Sequence, residues 1–149
     1  MRNKFNEYSQ NIAVVSEKTS YTYDELDLEI STVLSRIKIE GITSGETIFL
    51  LSDYSFTAIA WLLALYENNN IVVPITTVVE KEILERLNEV TVDVVVNLRV
   101  NNISRINNNK ERHDIIKKLN SENKSGLIIF SSGSTGKPKA MVHDMDNLV

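Results

Sequence analysis

Ser131, Ser132, Ser134 and Thr135 crowd four hydroxyls around Gly133, and Gly136, Lys137, Pro138 and Lys139 follow directly. These residue types suit a phosphate. Glycines carry no Cβ and can take positive φ, so successive backbone N–H groups can turn toward one point. Hydroxyls donate to phosphate oxygens, the two lysines add charge, and Pro138 stiffens the exit. The spacing is not that of a Walker A loop. That motif needs four residues between its first Gly and its Gly-Lys-Ser/Thr end, whereas two separate Gly133 from Gly136, and Pro138 follows Lys137. It is not G-x-G-x-x-G either. On residue types alone, a Ser/Gly surface turn ahead of two lysines is the plain alternative.

A cradle must be delivered by something rigid, and Gly126-Leu-Ile-Ile-Phe130 reads as a strand running into it. Upstream, Thr22 and Glu25 have capping-box spacing, and Leu26, Ile30, Val33, Leu34 and Ile37 form one helical stripe behind them. Thr47–Leu51 reads as a buried strand, and Ser52, Asp53 and Ser55 offer caps for an apolar helix from Phe56 that Asn68-Asn69-Asn70 stops. Ile71–Ile75 is the next strand, with Pro74 expected at an end or an edge because it cannot donate to a ladder. Thr77 and Glu80 repeat the capping spacing ahead of a helix with Ile83, Leu84, Leu87 and Val90 inside. Val92–Val96 is a further strand, 97–110 an Asn-rich loop with a short strand near Ile103–Ile106, and Ile115, Ile116 and Leu119 mark a short helix. Strands alternating with helices of this size imply crossovers. The expected fold is α/β, a mainly parallel sheet with helices on both faces.

Composition narrows the function. The 149 residues suit one ordinary domain. With 42% hydrophobic and 24% charged residues, the chain is globular in character. The absence of Cys excludes a disulfide scaffold, a thiol nucleophile and thiolate metal sites; two His make a His-rich centre remote. A net charge of −4 and a pI near 5.2 argue against nucleic acid and anionic membrane as partners. Met1–Glu7 has no apolar core of a signal peptide, and the apolar run Phe56–Tyr66 is far below the roughly 20 residues that span a bilayer. The cytoplasm is the default compartment.

From Phe130 to Lys139 the chain resembles the phosphate-loop signature of the AMP-forming adenylating enzymes: acyl-CoA synthetases, adenylation domains of non-ribosomal peptide synthetases and luciferase-like ligases. That signature runs aromatic, Thr/Ser, Ser, Gly, Ser/Thr, Thr/Ser, Gly, any residue, Pro, Lys, Gly; every position matches except the last, Ala140. Tyr21–Leu26 looks like the family's early helix start, Gly41–Leu51 like its lead-in to a strand with Glu46 in place of Asp, and Phe56–Pro74 like its apolar helix and Val-Val-Pro strand. Val142–Leu148 is similar to its Val-His-Thr-His-x-Asn-Leu continuation; His143 matches the first histidine and Met145 stands at the second.

The resemblance implies that Ser131, Ser132, Gly133, Ser134, Thr135 and Gly136 wrap the β- and γ-phosphates of ATP, with Lys139 supporting them. Lys137, at the signature's variable position, adds a solvent-facing charge. It implies a carboxylic acid as co-substrate, Mg2+ as helper, and CoA or a carrier-protein thiol as acyl acceptor. Residues 1–149 are then expected to form a partial N-terminal AMP-binding domain, with the phosphate loop at 130–140 and the C-terminal domain absent. The family's adenine-binding segment, Thr-Glu pair, ribose-binding Asp, hinge and C-terminal Lys find no counterpart. No catalytic residue or metal ligand is therefore assigned, and the fragment is expected to be inactive alone, completed in one reading by a C-terminal polypeptide. A different class of function is a standalone nucleotide- or phosphate-binding module, or an interaction module that buries its sheet edge against a partner.

Other charged groups read as surface. Asp24, Glu25, Asp27 and Glu29 form an acidic helix face expected to be solvated. Arg99, Arg105, Lys110, Arg112, Lys117 and Lys118 form a basic stretch without interleaved aromatics, and so no convincing RNA surface. His113 is expected to be exposed, and His143 to be a packed or exposed residue as readily as a functional one.

Overall fold

Thr22 caps the first long helix as its spacing predicts. Its Oγ1 accepts the Glu25 N–H at 3.3 Å, and the Glu25 carboxylate accepts the Thr22 N–H at 2.7 Å. The computed structural model describes residues 2–107, 109–132 and 138–148. In it this cap opens α1 (Tyr23–Ile39), which buries Leu26, Ile30, Val33 and Ile37. A hairpin the sequence reading lacked precedes it: β1 (Ile12–Ser16) and β2 (Thr19–Thr22), antiparallel. Its turn uses Glu17 at φ 56°, without the Gly or Asn that normally betrays a left-handed position. The Tyr21 ring stacks on Phe56 at 3.9 Å and fixes the hairpin to the next helix.

The remaining elements are β3 (Thr47–Leu51), α2 (Phe56–Glu67), β4 (Ile71–Ile75), α3 (Glu80–Glu89), β5 (Val94–Asn97), β6 (Asn102–Arg105), α4 (Asp114–Ser121), β7 (Gly126–Ser132) and β8 (Pro138–Asp144). The main sheet runs β6-β5-β3-β4-β7-β8. Its four inner strands are parallel, and β6 and β8 close the edges antiparallel. Side chains alternate across β3: Ile48 and Leu50 join α1 and α2, whereas Phe49 and Leu51 join the α3–α4 side. Burial on both faces explains why β3 reads as an unbroken apolar run.

Three expectations need correction. Thr77 does not cap α3: Val79 stands at the cap without a side-chain bond, and the Thr77 hydroxyl accepts the Val79 N–H at 3.2 Å. Leu84 points outward, 51% exposed. Pro74, expected at an end or an edge, is the fourth of the five residues of β4, a central strand. The Ile71 N–H donates to Glu46 and the Ile75 carbonyl accepts from Ser52, so odd-numbered residues of β4 face β3; the Asn70 carbonyl accepts from Gly126, so even-numbered ones face β7. Pro74 therefore withholds its donor from β7. The β4–β7 register runs Ile71↔Gly126 and Val72↔Leu127 and ends there.

The Asn clusters have a conformational reason beyond solvation. Asn69, Asn101 and Asn123 each take positive φ, at 55°, 51° and 53°. Asn70 is fully buried and donates to the Thr43 carbonyl at 2.7 Å.

Candidate functional site

β7 runs parallel to β3, β4 and β5, so its last residues, Ser131 and Ser132, lie at the carboxyl edge of the sheet, the ligand-binding edge of open α/β folds. β7 and β8 pair in an unbroken antiparallel register that ends at Ser131↔Lys139 and Ser132↔Pro138. Ser131 is half-buried and Lys139 exposed. Gly133, Ser134, Thr135, Gly136 and Lys137 lie outside the described residues. At the base of β7, Gly126 permits a close approach: a Cβ there would stand 2.9 Å from both Ile71 Cδ1 and Leu119 Cδ1. At the mouth, Phe130 lies under the Arg86 guanidinium at 5.9 Å and packs in the same cluster as Ile75.

The carboxyl edge holds one charged group that sequence reasoning assigned to the surface. Arg99 donates to Asp53 Oδ1 at 3.0 Å and to the carbonyls of Thr76 (2.7 Å), Thr77 (3.0 Å) and Ser52 (3.3 Å). Its position just after a strand of a parallel sheet was the available signal. The other basic residues of the stretch are also partnered. Arg105 binds Glu46, Arg112 binds Asp93, Lys117 binds Glu111 and Asp114, and Lys110 donates to the Asn88 carbonyl. His113 is exposed, as expected, and its Nδ1 accepts the Ile115 N–H at the start of α4. On α1, Asp27 is less solvated than expected. Arg2 holds it at 2.6 Å and, chiefly through that hydrogen bond, keeps its carboxyl below the ordinary range.

His143 pairs across from Leu127, toward the opposite end of β8 from Lys139. Met145 is buried, its sulfur accepting from Ser125 Oγ. A cavity of about 510 Å³ lies on the α3–α4 face, between Thr47, Val90, Arg112, Ile116, Ile128 and Ala140. Among the described residues, no helix is long and apolar enough to cross a membrane.

Known proteins share this arrangement. Nonribosomal peptide synthetase gliP of Aspergillus fumigatus is 28% identical over 148 residues, covering 88% of this chain and 7% of that protein. The D-alanine–D-alanyl carrier protein ligase of Lacticaseibacillus rhamnosus is 26% identical, covering 96% of this chain and 31% of that one. The N-terminal subdomain of Klebsiella oxytoca NpsA superposes with a TM-score of 0.72 at 20% identity, covering 97% of this chain and 41% of that one. The chain thus spans well under half the length of these relatives, and its fold is that of the N-terminal subdomain of adenylate-forming enzymes. It matches the family model "AMP-binding enzyme" from residue 1 to residue 149, and it belongs to that family.

Proposed function

We propose that this chain is the ATP-phosphate-binding part of an acyl-adenylating ligase. A carboxylate oxygen of the acid attacks the α-phosphorus of ATP, the bond to the bridging oxygen breaks, and pyrophosphate leaves with the electron pair. A thiol sulfur, of CoA or of a carrier protein, then attacks the acyl carbonyl and releases AMP. Within these steps, Ser131, Ser132, Gly133, Ser134, Thr135 and Gly136 hold the β- and γ-phosphates. Lys139 opposes the charge that grows on the departing pyrophosphate, and Lys137 adds to the local positive field. The observation that supports this reading is the Ser131↔Lys139 register, which places these two residues opposite each other at the ends of β7 and β8.

Among the described residues no three His, Cys, Asp or Glu side chains gather as a metal cage. The ion would arrive on the ATP phosphates, where it supplies charge neutralisation. The carrier-protein ligase relative supports a thiol acceptor for the acyl group. We further propose that the 149 residues alone catalyse no adenylation.

ATP affinity of the chain, measured calorimetrically beside Lys139→Ala, tests the phosphate loop. Binding that weakens about tenfold or more in the variant supports it, in line with the loss of a charge-assisted contact. Equal binding by both chains refutes it. Pyrophosphate exchange by the unaided chain over a panel of carboxylic acids would contradict the proposed inactivity.

A further inference from the structure

Thr47 carries a buried hydroxyl without a protein partner. The residue opens β3, is 1% exposed, and shares the parity of Phe49 and Leu51, so its side chain faces the α3–α4 side. Its backbone is engaged: the N–H donates to Asp93 Oδ2 at 2.7 Å, and the carbonyl accepts the Asp93 N–H at 2.9 Å. Its hydroxyl bonds to none of the described residues. Native proteins rarely bury a hydroxyl unless a protein group, a water or a ligand satisfies it. Thr47 lines the cavity of about 510 Å³, a volume within the roughly 300–1,000 Å³ typical of small-molecule sites.

The rest of the lining narrows the ligand. Ile116, Ile128 and Val142 supply an aliphatic surface. The charges around it are already matched. Arg112 is held by Asp93 at 2.7 Å, Glu111 by Lys117 at 2.6 Å, and Lys110 donates to the Asn88 carbonyl at 3.0 Å. Glu89, at the end of α3, is exposed. His113 accepts the Ile115 N–H on Nδ1, an arrangement only the neutral ring can make. A charged ligand would enter this apolar space without a counter-ion, at a high desolvation cost. We propose that the cavity binds an uncharged small molecule with an aromatic or alicyclic body and one hydroxyl. The body covers Ile116, Ile128 and Val142, and the hydroxyl pairs with Thr47 Oγ1.

2-Naphthol, uncharged at neutral pH and carrying one hydroxyl, is the probe, followed by amide NMR shifts of the full 149-residue chain. Saturable shifts are expected at residues 90–92, 115–116 and 140–142, with the β1–β2 hairpin unmoved. 2-Naphthoate, the same ring system with a charge, should bind at least about tenfold more weakly. Thr47→Val keeps the shape and removes the hydroxyl. It should weaken 2-naphthol binding about fivefold, the loss of one hydrogen bond. In the unliganded chain it should raise the melting temperature, because an unpartnered polar group leaves the interior. Val142→Phe fills the aliphatic surface and should abolish the shifts; should it fail to fold, the Thr47→Val comparison carries the test. The proposal is overturned by no saturable shift at millimolar 2-naphthol, or by 2-naphthoate binding as tightly. Equal binding by Thr47→Val, or a lowered melting temperature in that variant, overturns it as well.

Discussion

Arg112 and Asp93 meet in a fork, with Arg112 Nη2 2.7 Å from Asp93 Oδ2 and 2.9 Å from Oδ1. The same Oδ2 accepts the Thr47 N–H at 2.7 Å, and Arg112 Nη1 donates to the Gly45 carbonyl at 2.8 Å. One ion pair thereby joins the approach to α4, the lead-in to β5 and the first residue of β3. Replacing Asp93 with Ala strands both the guanidinium and a buried backbone N–H. The expected cost is about 2–3 kcal/mol, read as a lower midpoint in urea unfolding. Arg112→Lys keeps the charge but loses the second arm, Nη1, that reaches the Gly45 carbonyl, and should cost about 1 kcal/mol.

Gly126→Ala places a methyl group against two buried side-chain ends, Ile71 Cδ1 and Leu119 Cδ1. Overpacking should exceed the gain from a stiffer unfolded chain and leave a net loss of about 1 kcal/mol. Pairing the change with Leu119→Val, which vacates the space, should return part of it. Thermal melts of the two variants check the order.

The two Thr-x-x-Glu sequences make a controlled pair. Thr22→Ala removes a formed cap and should cost about 1 kcal/mol. Thr77→Ala touches a hydroxyl that bonds only within its turn, and should stay within about 0.5 kcal/mol. Chemical denaturation of both variants tests whether spacing alone makes a cap.

Acid should weaken the fold through Glu46. Burial pushes its carboxyl up, but the Arg105 hydrogen bond and the Thr43 N–H together outweigh this and hold it below the ordinary range. A depressed carboxyl contributes stability that is fully present above the unfolded value, about 4.3. That contribution disappears as pH falls through the lower folded value. Asp27, lowered by Arg2, has the same sign. Glu46→Gln should flatten the loss of stability below about pH 5, measured as melting temperature against pH.

What the sequence disclosed follows the range of each interaction. The α1 stripe, the Thr22 cap and the apolar β3 run are local patterns, and each appears where periodicity set it. The strand reading of Gly126–Phe130 was legible too, and β7 runs through it to Ser132 in register with β8. The partners of Arg99, Arg105 and Arg112 were not legible, because Asp53, Glu46 and Gly45 lie far upstream of them. A basic stretch thus looked like surface when its members tie distant strands together. Pro74 was misplaced for a related reason: only the pairing of its neighbours reveals which side lacks the donor.

The missing rung at Pro74 also orders events in folding. β7 and β8 need only a short turn to find each other, whereas docking β7 against β4 must close the long span from Ile71 to Gly126 and gains few backbone bonds for doing so. The hairpin is therefore expected to assemble early as an independent unit and to dock last, by its side chains. Pulse-labelled exchange should find the amides shared between β7 and β8 protected before that of Gly126, which donates to the Asn70 carbonyl ahead of β4. Pro74→Val, which restores a donor toward β7, should speed the docking phase.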